Sequence, residues 1–507
     1  MTIAVRKPRV LVFVVAFEAE STLKQVLARI PSCVFEEWDA EVLVIDDSSH
    51  DRTFEIGLRS SWDSAYPITI LHNRVNQGYG GNQKLGYQYA IRNGFDFVVL
   101  LHGDGQYAPE SIPSMLAPLI NGTADAVFGS RMMTRFGALR GGMPLYKFVG
   151  NRILSRIQNF LLGTRLSEFH SGFRAYRVDA LGRLPFQYNS NVFHFDTEII
   201  IQLVVSGCRI AEVPIPTYYG DEICRVNGIR YAKDVLSATI ASRLHRVNLF
   251  YDRRFDVDRE GNERYAVKLG YPSSHTAALN AVPQGSRVLD IGCGPGNFAA
   301  ALRAKAAYVT GADQFPPARA EFFDEFVLWR EGNPLKASLH EYDVVLLLDI
   351  IEHLNNPEAF LDQLRRSARS IDGSPQVIVT TGNVVFFVVR LQSLLGNFNY
   401  GKRGILDLTH TRLYTFGTVR RLFEQCGFVV AEIKGIPAPF PEALGLGTLS
   451  RLLLWMNSVL IHISRGLFAY QIFLRAIPTA TVDALLDDTI NSSATKMAAV
   501  KDQLLAG

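Results

Sequence analysis

The sequence predicts an α/β protein in which two Rossmann-like domains share one chain and a helical C-terminal extension follows. Three observations carry this. Short apolar runs alternate with helical stretches twice over, as in parallel sheets covered on both faces. Each half places a glycine-rich turn ahead of a helix. The segment 251–265, YDRRFDVDREGNERY, is dense in charge of both signs and poor in apolar residues, and it separates the two series.

The first series reads RVLVFVVAF (9–17), EVLVIDD (41–47), ITILHN (68–73), FDFVVLLHGD (95–104) and ADAVFGS (124–130). The second reads SRVLDIG (286–292), AYVTGAD (307–313), YDVVLLLD (342–349) and PQVIVTT (375–381). After about residue 436 this alternation stops and a leucine-rich helical region follows, with a weakly amphipathic tail from about 478. The expected domains are 1–250, a charged linker 251–271, a second domain 272–436, and the extension and tail 437–507. A length of 507 residues exceeds one hydrophobic core.

Composition narrows the class. With 48% hydrophobic and 20% charged residues, the chain is globular and not disordered. A net charge of +3 argues against nucleic acid as a main partner. The five cysteines, at 33, 208, 224, 293 and 426, form no C-x-x-C pair, which fits a reducing cytoplasm and no structural zinc. Arg6 and Lys7 precede an apolar run, but Glu18 and Glu20 follow at once, so a buried first strand is expected, not a leader. No apolar stretch reaches the ~18 residues of a membrane span.

Ligands of such sheets bind beyond the carboxyl ends of the strands, and polar residues gather there. Asp46 and Asp47 end the second run and suit a base and ribose. Gly78, Gly80 and Gly81 lie in NQGYGG ahead of a helix. Asp104 and Gln106 follow the fourth run, where one carboxylate with a neighbouring oxygen donor suits magnesium or manganese. Each feature alone is more often a turn, a cap or a plain glycine loop; their order at successive strand ends makes coincidence a poor account.

On VLVIDDSSHDRT, NQGYGGNQKLGYQYAI, LLHGDGQYAPE, FGSRM and SGFRAYR, residues 8–240 resemble the family-two glycosyltransferases of GT-A fold, in particular the polyprenyl- and dolichyl-phosphate mannose synthase-like branch. That resemblance implies inverting sugar transfer from a nucleotide-sugar donor to a lipid-phosphate or glycan acceptor. It puts Phe17, Glu20, Asp46, Asp47, Gly78, Gly80, Asp104, Arg131, Lys147 and Arg174 at the donor, with the metal on Asp104 and Gln106. A salt bridge holding its loop is an equal reading of Arg174. The family's D-x-D-x-Q motif departs here: His102 replaces its first acidic residue, and Val15-Ala16-Phe17-Glu18 replaces its opening motif. A lipid phosphate needs no general base. A hydroxyl acceptor does, and Asp196 is the candidate, beside Glu198, although the pair also reads as a plain helix opening.

In the second half RVLDIGCGPGNFAAAL ends a strand at Asp290 and turns through Gly292, Gly294 and Gly296, with Asp313 ending the next strand. The G-x-G-x-G spacing differs from the G-x-G-x-x-G of dinucleotide folds. VLDIGCGPG and YDVVLLLDIIEHLNNPEAFL resemble class I S-adenosylmethionine (SAM)-dependent methyltransferases over 272–436. The resemblance implies Asp290 near the methionine amine, Asp313 at the ribose and Asp349 beneath the methyl, with Glu331 a weaker adenine-side candidate. His353 and His410, the latter in LDLTHTRLYT with Asp407, Arg412 and Tyr414, are alternative bases; a capping role is the blander reading of His353. The expected function is therefore transfer of a sugar and of a methyl group in polysaccharide biosynthesis; the single chain would let both halves serve one glycan, and secured co-expression is the blander reading of the fusion. The alternative is a methyltransferase fused to a non-catalytic nucleotide-sugar-binding scaffold. The cationic apolar segment KFVGNRILSRIQNFLLG and the Arg-interrupted run around Trp455 suggest peripheral contact with the inner face of the membrane.

Overall fold

In the computed structural model, residues 6–134, 137–216, 227–246, 250–257, 267–335, 337–367, 374–486, 489–490 and 492–493 are described. They fall into two units, residues 1–246 with 250–262, and residues 247–249 with 263–507.

The first unit is built on strands β1 (Arg9–Ala16), β2 (Asp39–Asp46), β3 (Ile68–His72), β4 (Phe97–His102), β5 (Ala126–Ser130), β6 (Arg174–Arg177) and β7 (Ile210–Pro214), in the order β3-β2-β1-β4-β6-β5-β7. Only β6 runs antiparallel to its neighbours. In β1, Val10, Val12 and Val14 pack into one core layer and Leu11 and Phe13 into the other. An unbroken apolar run is what a strand covered on both faces requires. The helix Gly78–Arg92 lies close on β1, and a Cβ at Gly86 would come within 2.1 Å of the Phe13 ring.

The second unit has β8 (Arg287–Ile291), β9 (Tyr308–Asp313), β10 (Glu325–Leu328), β11 (Val344–Leu348), β12 (Gln376–Gly382), β13 (Phe428–Ile436) and β14 (Gln471–Pro478), ordered β10-β9-β8-β11-β12-β14-β13. Its strands are parallel up to β12, and β14 then pairs antiparallel with both β12 and β13. This mostly parallel, seven-stranded order agrees with the fold expected of this half from its sequence.

All nine runs read from the sequence are strands. Two expectations need correction. The helical region after 436 exists, as Thr448–Ile463, but the sheet does not end there: QIFLRAIP returns as β14, with Ile472, Phe473 and Leu474 fully buried. Its apolar residues continue those of the preceding helix, so no change of period marks the strand. The segment 251–257 is also not a solvated linker. Phe255 is buried, and Arg254 pairs with Glu198 and Asp252; residues 258–266 lie outside the described residues. Four cysteines are free, and Cys224 lies outside the described residues. Among the described residues no helix is long and apolar enough to cross a membrane.

Candidate active sites

Parallel register brings the first polar cluster together. Ala16 on β1 pairs with Asp46 on β2, and Val15 pairs with His102 on β4, so three strands end at one level. Buried Asp46 accepts hydrogen bonds from Ser49 and His72, the latter at 2.9 Å from Nδ1. Buried Asp47 accepts from Asn73 Nδ2 at 2.7 Å and from the Gln77 backbone at 2.8 Å. That second bond ties β2 to the turn that opens the Gly78–Arg92 helix. Glu18 and Ser48 sit at φ 50° and 62° in the loops behind β1 and β2; such strain persists where surrounding bonds hold it. The Glu18 and Glu20 backbones are anchored by Ser49 and Asp51. Phe17 is exposed beside them. Gly80 is needed for close approach, since a Cβ there would stand 2.6 Å from Phe195 Cβ and from the Ser190 carbonyl oxygen.

Behind β4, Asp104 Oδ1 accepts from the Gln106 backbone at 3.0 Å and its side chain stays about half exposed. His102 is largely buried. Its Nε2 lies 3.2 Å from the Tyr79 hydroxyl, and its Nδ1 lies 4.0 Å from Asp104 Oδ2. Burial pushes the imidazole below its ordinary value, against the pull of Asp104. Among the described residues no group of three or more His, Cys, Asp or Glu side chains forms a metal cage.

Two residues expected at the donor, Arg174 and Arg131, are engaged within the protein, and for Arg174 this is the alternative reading of a salt bridge holding its loop. Arg174 is fully buried: its fork donates to the carbonyls of Ser171, Asp196 and Phe169, and it pairs with the Asp196 carboxylate at 3.6 Å. Its fork is engaged within the protein and holds the loop. Asp196 is equally committed, accepting from Tyr79 at 3.0 Å and Gln83 at 3.1 Å. Its neighbour Glu198 bonds the Ser190 backbone and Arg254. Neither carboxylate is placed as a base. Arg131 is buried against Glu168, whose carboxylate takes its backbone N–H and its guanidinium. Burial opposes ionisation of Glu168, but the Arg131 charge and these bonds hold it below its ordinary value. Sequence reasoning missed Glu168, which stands 37 positions from its partner. Lys147 is half-buried on the helix Leu145–Leu162.

In the second unit the glycines after β8 form a cradle. Gly292, Gly294 and Gly296 have φ of 77°, 56° and 87°. A Cβ at Gly292 would come 2.3 Å from Ile350 Cδ1, and one at Gly296 would come 2.8 Å from Phe323, whereas Gly294 faces open space. The Gly294 N–H donates to Asp313 Oδ2 at 2.9 Å. Asp290 is buried without a side-chain hydrogen bond among the described residues, and burial, helped by Asp313, pushes its carboxyl up to about 7. Asp349, at φ 53°, accepts from Thr380 at 2.8 Å and from Gln471 of β14 at 2.9 and 3.0 Å. Glu352 is buried with Oε2 unpartnered, and burial and Asp349 push it up to about 8. His353 and His410 do meet, with ring centroids 4.8 Å apart. The Nδ1 of each is turned to backbone, at Thr409 and Ile405, and burial, then His353, lowers His410. Glu331 instead accepts from Asn355 and the Asn356 backbone, capping the turn before the helix Pro357–Ser367. Gln471 and Glu352 were not singled out from sequence; Gln471 sits 122 residues from Asp349.

Comparison with known proteins gives two family matches: Glycosyl transferase family 2 over residues 11–184, and a Methyltransferase domain over 264–433. An undecaprenyl-phosphate mannosyltransferase of Micrococcus luteus is 30% identical over 209 residues, 41% of this chain and 82% of that protein. A UDP-N-acetylglucosamine–dolichyl-phosphate N-acetylglucosaminyltransferase of Methanococcus voltae is 29% identical, covering 40% and 83%. A polyprenol monophosphomannose synthase of Mycolicibacterium smegmatis is 24% identical, covering 41% and 76%.

Proposed function

The chain belongs to glycosyl transferase family 2 and carries a methyltransferase domain behind that unit, and from this premise we propose that it moves a sugar from a nucleotide-sugar donor onto a lipid phosphate and a methyl group from SAM onto the same glycan. Three relatives named for polyprenyl- or dolichyl-phosphate acceptors support the acceptor class. The carrying observation is that Asp196 and Glu198, the carboxylates a hydroxyl acceptor would call on, are buried and already bonded. A lipid phosphate arrives ionised and needs no base. Asp104 with Gln106 would hold a divalent ion at the donor diphosphate, the free Asp104 Oδ2 and an oxygen-rich ligand suiting a hard cation. Offering labelled sugar nucleotides with polyprenyl phosphate or with the free polyprenol tests this: the phosphate alone should be glycosylated. Efficient transfer to the alcohol would overturn it. A non-catalytic sugar-nucleotide binder is the second reading, favoured by His102 in an acidic position; nucleotide release without acceptor turnover would support it.

The lipid acceptor agrees with two helices that leave many apolar side chains exposed. Leu145–Leu162 buries Asn151, Ser155 and Gln158 together with Phe148 and Leu162, and exposes Tyr146, Val149, Ile153 and Phe160, beside Arg152 and Arg156. Thr448–Ile463 buries Ser450, Leu454 and Asn457 and exposes Leu452, Trp455, Val459 and Ile463. Apolar faces flanked by arginine suit an anionic lipid interface. The protein should float with anionic liposomes at low salt, and Phe160→Glu with Trp455→Glu should reduce the bound fraction about tenfold or more. Indifference to liposomes at every salt concentration would refute membrane contact.

SAM supplies a methyl group activated on a sulfonium. The cradle fits it: Gly294 leaves open space, and the buried, unbonded Asp290 suits a ligand ammonium. Asp313 would take the ribose, Asp349 the region of the methyl, and His353 or His410 the acceptor proton. The Asp290 carboxyl, pushed up to about 7, must lose a proton to meet a cation. SAM affinity should therefore fall about tenfold per pH unit below neutrality and level off above it. Calorimetry of wild type and Asp290→Asn checks this: the variant should bind weakly and lose the dependence. An equally steep profile in the variant would exclude Asp290 as the cause.

A further inference from the structure

We propose that His102 is itself a metal ligand, its Nδ1 and Asp104 Oδ2 forming a nitrogen–oxygen pair that favours manganese over magnesium at the sugar donor. This rests on the sugar-transfer reading above and adds a ligand to it.

Hydrogen bonding fixes the imidazole. The Tyr79 hydroxyl lies 3.0 Å from Asp196 Oδ2 and 3.2 Å from His102 Nε2. It has one proton to give. The Asp196 carboxylate is paired with Arg174 and bonded by Gln83, and the tyrosine donates to it. The tyrosine oxygen can then only accept from His102, which puts the ring proton on Nε2. Nδ1 is left with a bare lone pair and makes no hydrogen bond among the described residues.

That lone pair faces the Asp104 side. Nδ1 and Oδ2 are 4.0 Å apart, and two ligands each at about 2.1 Å from one ion span at most about 4.2 Å. Asp104 is half exposed, so its carboxylate can turn to the closer spacing of adjacent octahedral positions. The ring itself is built in. A Cβ at Gly172 would stand 2.6 Å from His102 Cε1 and Nε2, and the Tyr107 ring meets it edge-on at 4.9 Å. Asp196, Tyr79 and Gly172 therefore hold one tautomer in one orientation at the end of β4. Replacing a carboxylate by an imidazole removes a negative charge and a hard oxygen. Magnesium binds such a site less well, while manganese accepts nitrogen.

The test is pulsed electron paramagnetic resonance of Mn2+ added with GDP, and separately with UDP. Wild-type protein should show the nitrogen coupling of a directly bound imidazole. Labelling with 15N-histidine should change that coupling without any substitution. His102→Gln, whose amide can still meet Tyr79 but offers nothing at the Nδ1 position, should lose it. In titrations with the same nucleotide, His102→Asp should lower the manganese-to-magnesium affinity ratio about tenfold or more. Nucleotide-dependent Mn2+ binding that Asp104→Asn weakens, but with no histidine nitrogen coupling, would overturn the proposal and leave the sugar-transfer reading standing. Absence of any nucleotide-dependent Mn2+ binding would overturn both.

Discussion

Asp104→Asn should lower sugar transfer by about a thousandfold, a loss of roughly 4 kcal/mol of transition-state stabilisation, while leaving SAM binding unchanged. The size follows from charge. A leaving nucleoside diphosphate gains negative charge as the sugar departs, and Asp104, at the strand end, is the carboxylate proposed to hold the compensating ion. The substitution keeps shape. Asp104 is half exposed, and its hydrogen bond from the Gln106 backbone to Oδ1 at 3.0 Å can be accepted equally by an asparagine oxygen. The fold should therefore survive, which an unchanged melting temperature would verify. Initial rates of labelled sugar transfer to polyprenyl phosphate read the effect directly. A rate within tenfold of wild type would remove Asp104 from the chemistry.

What the sequence revealed and what it hid divide by chain distance. Asp46, His102, Asp104, Asp290 and Asp313 were visible because each ends or follows an apolar run, and parallel sheets collect such ends at one edge. The partners that decide roles were not. The family resemblance put Arg131 and Arg174 at the donor, with a loop-holding salt bridge as an equal reading of Arg174. Glu168 neutralises the first, and three carbonyls with Asp196 absorb the second. A buried arginine needs such partners, but local spacing does not say which carboxylate supplies them. Tyr79, whose hydroxyl lies between Asp196 and His102, was not singled out from the glycine loop that carries it. In the second unit β14 was concealed because its apolar residues run on from a helix of similar composition. With it went Gln471, which holds Asp349 from across the sheet.

Gly294→Val should weaken SAM binding at least about a hundredfold, or some 2.7 kcal/mol, without touching sugar transfer. Of the three cradle glycines it gives the cleanest reading. Side chains at Gly292 and Gly296 would strike Ile350 and Phe323, so substitutions there would confound binding with folding. Gly294 meets nothing within 4 Å of an added Cβ, so a side chain there projects into open space, where the methyl-transfer reading puts the ligand. The backbone contributes too. At φ 56° a β-branched residue is strained by about 1–2 kcal/mol, and relaxation of that strain would pull the Gly294 N–H off Asp313 Oδ2. Asp313 would then lose the bond that orients it. Gly294→Ala separates the effects: it keeps most of the strain but fills less of the cradle, and its affinity should fall between the two. Calorimetry with SAM and with its demethylated product measures all three proteins, and sugar transfer by the same preparations shows that the first unit is intact. NADH binding tightly where SAM does not bind at all would mean that the cradle serves a dinucleotide, and the methyl-transfer reading would fail with it.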